Sequence, residues 1–91
     1  MGVHTMTEQI FIKEGTELIK AMAKGLVDMN DSIDVQISTG SSHTIVFTLK
    51  CAKSDLGKLI GKRGRTATAM RTILGAIASK YGRRAILDIA E

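Results

Sequence analysis

The chain has 91 residues, 44% hydrophobic and 24% charged, a globular composition with room for one sheet-and-helix core but not a second. No apolar run approaches the length of a membrane span, and a single cysteine, Cys51, excludes an intrachain disulfide. The formal charge of +4 is unevenly placed: residues 1–52 carry four Lys or Arg against six Asp or Glu, and residues 53–91 carry nine against three, so an anionic partner is steered to the second half.

The first dozen residues show no clear hydrophobic period, and Ile10-Phe11-Ile12 is too short to assign. Residues 1–15 therefore read as an N-terminal extension, flexible or unassigned, ahead of a domain at 16–91. The start Met1-Gly2-Val3-His4-Thr5-Met6 has no basic segment followed by an apolar core, and Met6 stands where N-myristoylation needs Ser or Thr. The cytoplasm is the expected compartment. From about Thr16, Leu18, Ile19, Met22, Leu26, Val27 and Met29 fall at helical spacing before the polar cluster Asp28, Asn30, Asp31. Ile33, Val35 and Ile37 then alternate with polar residues, Gly40-Ser41-Ser42 turns the chain, and Ile45, Phe47, Leu49 and Cys51 alternate again. These two runs predict an antiparallel hairpin.

Ser54-Asp55 offers a cap and a first-turn acid for a short helix carrying Leu56, Leu59 and Ile60. A longer helix is predicted from about Arg65 to Lys80, with Ala67, Met70, Leu74, Ile77 and Tyr81 on its core stripe and Gly82 as its stop. Arg83 to Ala90 closes as a strand.

Between the last two helices lies Gly61-Lys62-Arg63-Gly64. Two glycines let the backbone turn sharply and leave no side chain in the way of a phosphate, and the amides that open the next helix are expected to point outward as free donors. Lys62 and Arg63 supply charge at the tip. Arg65 sits at the next helix's first turn, where a cation opposes the helix dipole, which favours a functional reason for it. Lys58, a turn before the loop, and Arg71, two turns after it, extend the basic track or are simply solvated. Ile60, with Val46 from the second strand, is a candidate for an apolar groove beside the loop.

Leu59-Ile60-Gly61-Lys62-Arg63-Gly64-Arg65-Thr66-Ala67 resembles the signature of a KH domain, an RNA-binding fold. Two strands before the motif and one after it resemble the bacterial type II arrangement. That resemblance implies an α+β fold of order α-β-β-α-α-β, a three-stranded sheet with three helices packed on one face. The short length, the loop and the ending Ile86-Leu87-Asp88-Ile89 are similar to the small stand-alone bacterial KH proteins of the KhpA family, over roughly residues 16–90. The resemblance implies single-stranded RNA as partner, and a role as RNA chaperone or post-transcriptional regulator. It also implies self-association, or pairing with a larger KH protein of the KhpB (Jag or EloR) type.

Only three aromatics, Phe11, Phe47 and Tyr81, are present, so an aliphatic groove fits better than aromatic stacking platforms, and nothing in the residues demands a 2′-hydroxyl over single-stranded DNA. Gly57-Lys58-Leu59-Ile60-Gly61-Lys62-Arg63 falls one residue short of P-loop spacing and lacks its Ser or Thr. His4 and His43 have no Cys or acid at metal spacing, and no paired carboxylates suggest a catalytic cleft. Neither an enzyme nor a cofactor or metal site is expected. Cys51 reads as a small buried hydrophobe. On the long helix, Thr68, Thr72, Gly75 and Ser79 form a stripe of small residues flanked by Ile73, which reads either as a protomer contact or as a solvent face. Two function classes follow: an RNA-binding protein, or a protein-interaction module built on the same fold.

Overall fold

A computed structural model describes residues 5–41 and 43–91; residues 1–4 and Ser42, the latter part of the expected turn, lie outside the described residues. Thr5 opens the first helix, its side-chain oxygen accepting the Glu8 amide at 3.0 Å and so satisfying one of the donors that every helix start leaves unpaired. The helix, α1, runs Met6–Leu26. Residues 6–15, an unassigned extension by sequence pattern, are thus its first half. Its buried stripe is Phe11, Gly15, Ile19 and Ala23, four-residue steps in which a glycine and an alanine carry no hydrophobic signal. Gly15 is buried because the helix backbone lies on the ring of Phe47: a Cβ there would come within 2.8 Å of Phe47 Cζ. Leu26 and Met29, expected on the core stripe, are exposed, and Val27 is buried between them.

The sheet has the order β1-β2-β3, with β1 spanning Asp34–Thr39, β2 Thr44–Lys50 and β3 Arg84–Ala90. β1 and β2 form the expected antiparallel hairpin, pairing Val35 with Leu49 and Ile37 with Phe47. Its turn is closed by the Gly40 amide donating to the Thr44 carbonyl and the Thr44 amide to that of Ser41, both at 2.9 Å. β3 runs parallel to β2, with Ala85, Leu87 and Ile89 beside Ile45, Phe47 and Leu49. These rows form the face covered by the helices. Val46 and Ile86, paired with each other, point to the opposite face, so Val46 is not a residue of any groove beside the helices.

The crossover from β2 to β3 contains α2 (Leu56–Ile60) and α3 (Arg65–Lys80). Ala67, Met70, Leu74 and Ala78 of α3 are buried, with Ile77 and Tyr81 packed against the core's edge. The helix ends before Gly82, at φ 66°, the left-handed conformation that favours glycine at a helix stop. The order is the α-β-β-α-α-β of the type II arrangement, with three helices on one face of a mixed three-stranded sheet. The three aromatics meet in one cluster: Phe11 and Phe47 are edge-to-face at 5.5 Å between ring centres, and Phe11 lies 5.9 Å from Tyr81.

If α1 belongs to the domain from its first turns, Phe11→Ala will lower the unfolding free energy by about 3–5 kcal/mol, measured by urea denaturation followed by circular dichroism. A loss below about 1 kcal/mol would make residues 6–15 a dispensable extension.

Candidate nucleic-acid interface

The backbone of residues 61–64 is set by three successive constraints. Gly61 has φ 77° and ψ 169°, and a Cβ on it would collide with the Thr66 side chain and lie 2.8 Å from the Thr66 amide; only glycine fits. Lys62–Gly64 form one tight turn, with the Gly64 amide donating to the Gly61 carbonyl at 3.0 Å and the Arg65 amide to that of Lys62. Two amides expected to face outward are therefore spent inside the loop, and the charge offered to a ligand comes from side chains. Arg63 is held at φ 57° and ψ 27°, a left-handed conformation that costs a non-glycine residue about 1–2 kcal/mol. Such strain at an exposed tip is the kind that functional sites retain. Lys62, Arg63 and Arg65 are exposed, while Ile60 and Gly61 are half-buried at the loop's base.

Lys58 is differently placed. Its ammonium lies 2.9 Å from Asp28 Oδ2 and 3.2 Å from Asp55 Oδ1, so two carboxylates oppose its charge, and they raise its pKa, Asp28 most. Asp55, expected as the first-turn acid of α2 behind a Ser54 cap, stands at the helix's N-cap position and its side chain makes no capping hydrogen bond. It is buried, and accepts the Met29 amide at 3.0 Å and the Asp28 amide at 3.2 Å. The Met29 amide above all, then the Asp28 amide and the Lys58 ammonium, hold its carboxyl below the usual carboxylate range against the opposing effect of burial. Asp55 thereby ties the exit of α1 to the start of α2, whose five residues are too few to stand as an isolated helix. The sequence signal for this role was an acid at the start of a short helix, which is indistinguishable from one placed for the helix dipole.

Arg71 projects from α3 to the sheet edge, its Nε donating to the Leu87 carbonyl at 3.1 Å. Thr68, Thr72 and Ser79 are exposed and Gly75 half-buried; the Thr72 hydroxyl donates back to the Thr68 carbonyl at 3.0 Å, and a Cβ on Gly75 would meet open space. Nothing among the described residues thus requires glycine at 75. On the neighbouring face of α3, Ala69, Met70 and Ile73 join Ala21, Met22, Gly25 and Leu26 of α1 and Thr66 around an apolar groove of about 380 Å³. Leu26 and Ile73, 42% and 45% exposed, flank it. The groove was not foreseen, because it needs the α1–α3 packing to exist. Cys51 is buried, its Sγ donating to the Ala90 carbonyl at 3.5 Å, and burial pushes its thiol pKa up.

The family model described as KhpA/KhpB, KH domain matches residues 16–89. The chain belongs to the KhpA/KhpB KH-domain family. The match contains the loop and both flanking helices. Among relatives, the RNA-binding protein KhpA of Borreliella burgdorferi is 45% identical over 75 residues, covering 82% of this chain and 90% of that protein. The KhpA proteins of Aquifex aeolicus and Clostridium acetobutylicum are 44% and 42% identical, over 82% and 80% of this chain and 94% and 96% of theirs. In three dimensions the chain resembles part of Era crystallised with MgGDPNP and a segment of 16S ribosomal RNA, at a TM-score of 0.54 and 18% identity, over 84% of this chain and 29% of that one. This likeness extends to the fold. Among the described residues, no group of three or more His, Cys, Asp or Glu could hold a metal ion; His4 lies outside them. Nor is any described helix long and apolar enough to cross a membrane.

Two stability measurements probe the KhpA/KhpB loop and its support. Arg63→Gly removes the left-handed strain and is expected to raise the unfolding free energy by about 0.5–1 kcal/mol in urea titrations; a decrease would show that the arginine side chain holds the loop. For Asp55, a carboxyl depressed by folding stabilises above its unfolded pKa, and this contribution is lost as pH falls through the folded one. Asp55→Asn should therefore melt well below the native chain at pH 7, with the gap narrowing progressively below about pH 4. A pH-independent gap would assign the loss to packing instead.

Proposed function

We propose that this protein binds single-stranded RNA by clamping its sugar–phosphate backbone against Gly61-Lys62-Arg63-Gly64, and that it acts as an RNA chaperone or post-transcriptional regulator in the cytoplasm. The carrying observation is the loop: a glycine that no other residue can replace, a strained arginine, and two exposed cations at the mouth of two helices. The relatives' printed name, RNA-binding protein, supports the same reading. Lys62 and Arg63 pair with phosphates, Arg65 adds a third contact, and Ile60 meets the sugar or base beside them. Lys58 contributes less than its position suggests because Asp28 and Asp55 already engage it. With the aromatic residues packed together, bases are held by aliphatic contact and hydrogen bonds to their edges rather than by stacking on rings.

The apolar groove favours a second reading, in which the α1–α3 face is an interaction surface for another copy or for a KhpB-type protein. Ile73 at its rim and the small residues Thr68, Thr72, Gly75 and Ser79 beside it would let a partner helix approach closely.

Fluorescence anisotropy with a labelled random-sequence RNA separates the readings. The Lys62→Asp, Arg63→Asp variant should melt near the native temperature yet lose RNA binding. The native log–log salt slope should be about −1.4 to −2, as for two or three neutralised phosphates on a single strand. Ile73→Asp should leave RNA affinity unchanged. Unaltered binding by the loop variant would sink the clamp, and a change of mass by sedimentation in Ile73→Asp alone would shift the weight to the interaction surface.

A further inference from the structure

Arg71 bonds the outer edge of the sheet. β3 is an edge strand of the sheet, and the hydrogen bonds from Cys51 N–H to the Ala90 carbonyl and from the Arg84 amide to the His43 carbonyl mark its even-numbered residues as those facing β2. The backbone groups of Ala85, Leu87 and Ile89 therefore point outward along the open edge. Arg71 reaches this edge from α3 and fixes its guanidinium with one bond, Nε to the Leu87 carbonyl. Among the described residues its two Nη groups have no protein acceptor. Thr68 and Gly75, one turn to either side on the same helix face, carry no side chain long enough to cover them. Arg71 lies seven residues beyond Gly64, about 10 Å along α3 at 1.5 Å per residue, within reach of a strand of about four nucleotides leaving the loop.

A guanidinium anchored through Nε presents Nη1 and Nη2 end-on, as two parallel donors with no acceptor. That fork matches a base edge carrying two adjacent acceptors: O6 and N7 of guanine, or O2 and N3 of cytosine, which a single strand leaves unpaired. Uracil alternates acceptor, donor, acceptor along its edge, and adenine sets an amino donor beside each accessible ring nitrogen acceptor. Resting on the RNA-binding reading above, we propose that Arg71 is the specificity-determining residue of the site, favouring cytosine or guanine over uracil or adenine at the nucleotide beside it. A lysine keeps the charge but loses the fork. A glutamine keeps a donor for Leu87 while offering the mixed donor and acceptor that pairs with adenine.

The test compares labelled 12-nucleotide RNAs, oligo-C against oligo-U and alternating UG against UA, by anisotropy at one salt concentration. The native chain should bind the C- and UG-containing strands at least about fivefold tighter, the lower end of what one bidentate contact discriminates. Arg71→Lys should bring each ratio within about twofold, chiefly by weakening the C- and UG-containing strands, and Arg71→Gln should turn the preference toward UA. Circular dichroism melts check that both variants, each able to donate to Leu87, remain folded. Binding by the native chain without base preference, or a Lys variant weakened equally on all four RNAs, overturns the role of Arg71 alone. Failure of the native chain to bind any of them overturns the RNA clamp and this inference with it.

Discussion

Phe47, fully buried at the centre of the middle strand, packs edge-to-face with Phe11 and lies under the backbone of α1 at Gly15, which Leu74 of α3 also approaches. The close approach at Gly15 lets α1 lie directly on the sheet and share its roof with α3. A side chain there would lift α1 by the width of a methyl group and open the core under both helices, since interiors packed to crystal density have no slack to absorb it. The position of α3 follows, and with it that of the loop, which is the lead-in to α3's first turn. The same cluster draws in the chain's aromatics, so the packing that positions the loop also leaves it without rings beside it.

Charge is organised by a comparable economy. The second half of the chain is strongly basic, yet its cations are not equivalent. Lys58 is engaged by two carboxylates from opposite ends of the α1-to-α2 junction. Arg83 lies near Glu8 and donates to Thr5 at 3.1 Å, fastening the start of α1 to the entrance of β3. Lys62, Arg63 and Arg65 are the exposed cations of the loop and the turn after it. The general field of the basic half thus includes exposed charge where the backbone is tightly prescribed. Positioning and attraction coincide at one tip, while neighbouring charges hold the scaffold.

Much of this architecture was legible in the chain itself. The alternation of Ile33 to Ile37 and of Ile45 to Cys51 named the hairpin, and the inward face of β2, while Ile37 on the outer strand is exposed; the α3 stripe named most of its buried residues, and Gly61-Lys62-Arg63-Gly64 marked the loop within a frame that pointed to its family. The first half of α1 was hidden because its buried stripe passes from Phe11 to Gly15, a glycine that carries no hydrophobic signal. Thr5-Met6-Thr7-Glu8, a threonine three residues before a glutamate, was the available clue to its start. Asp55 was misread because an acid at the start of a short helix looks the same whether it serves that helix's dipole or accepts amides from another segment.

Local pattern determined the elements, their order and the glycine loop, because periodicity and backbone conformation act over a few residues and leave their mark in adjacent positions. Only the tertiary structure decided which cations stay exposed, that Val46 faces away from the helices, that α1 and α3 enclose an apolar groove, and that Arg71 bonds the edge of β3. Each of these depends on contacts between residues far apart in the chain, whose distance is set by how closely helices and sheet can pack, and no local spacing encodes that.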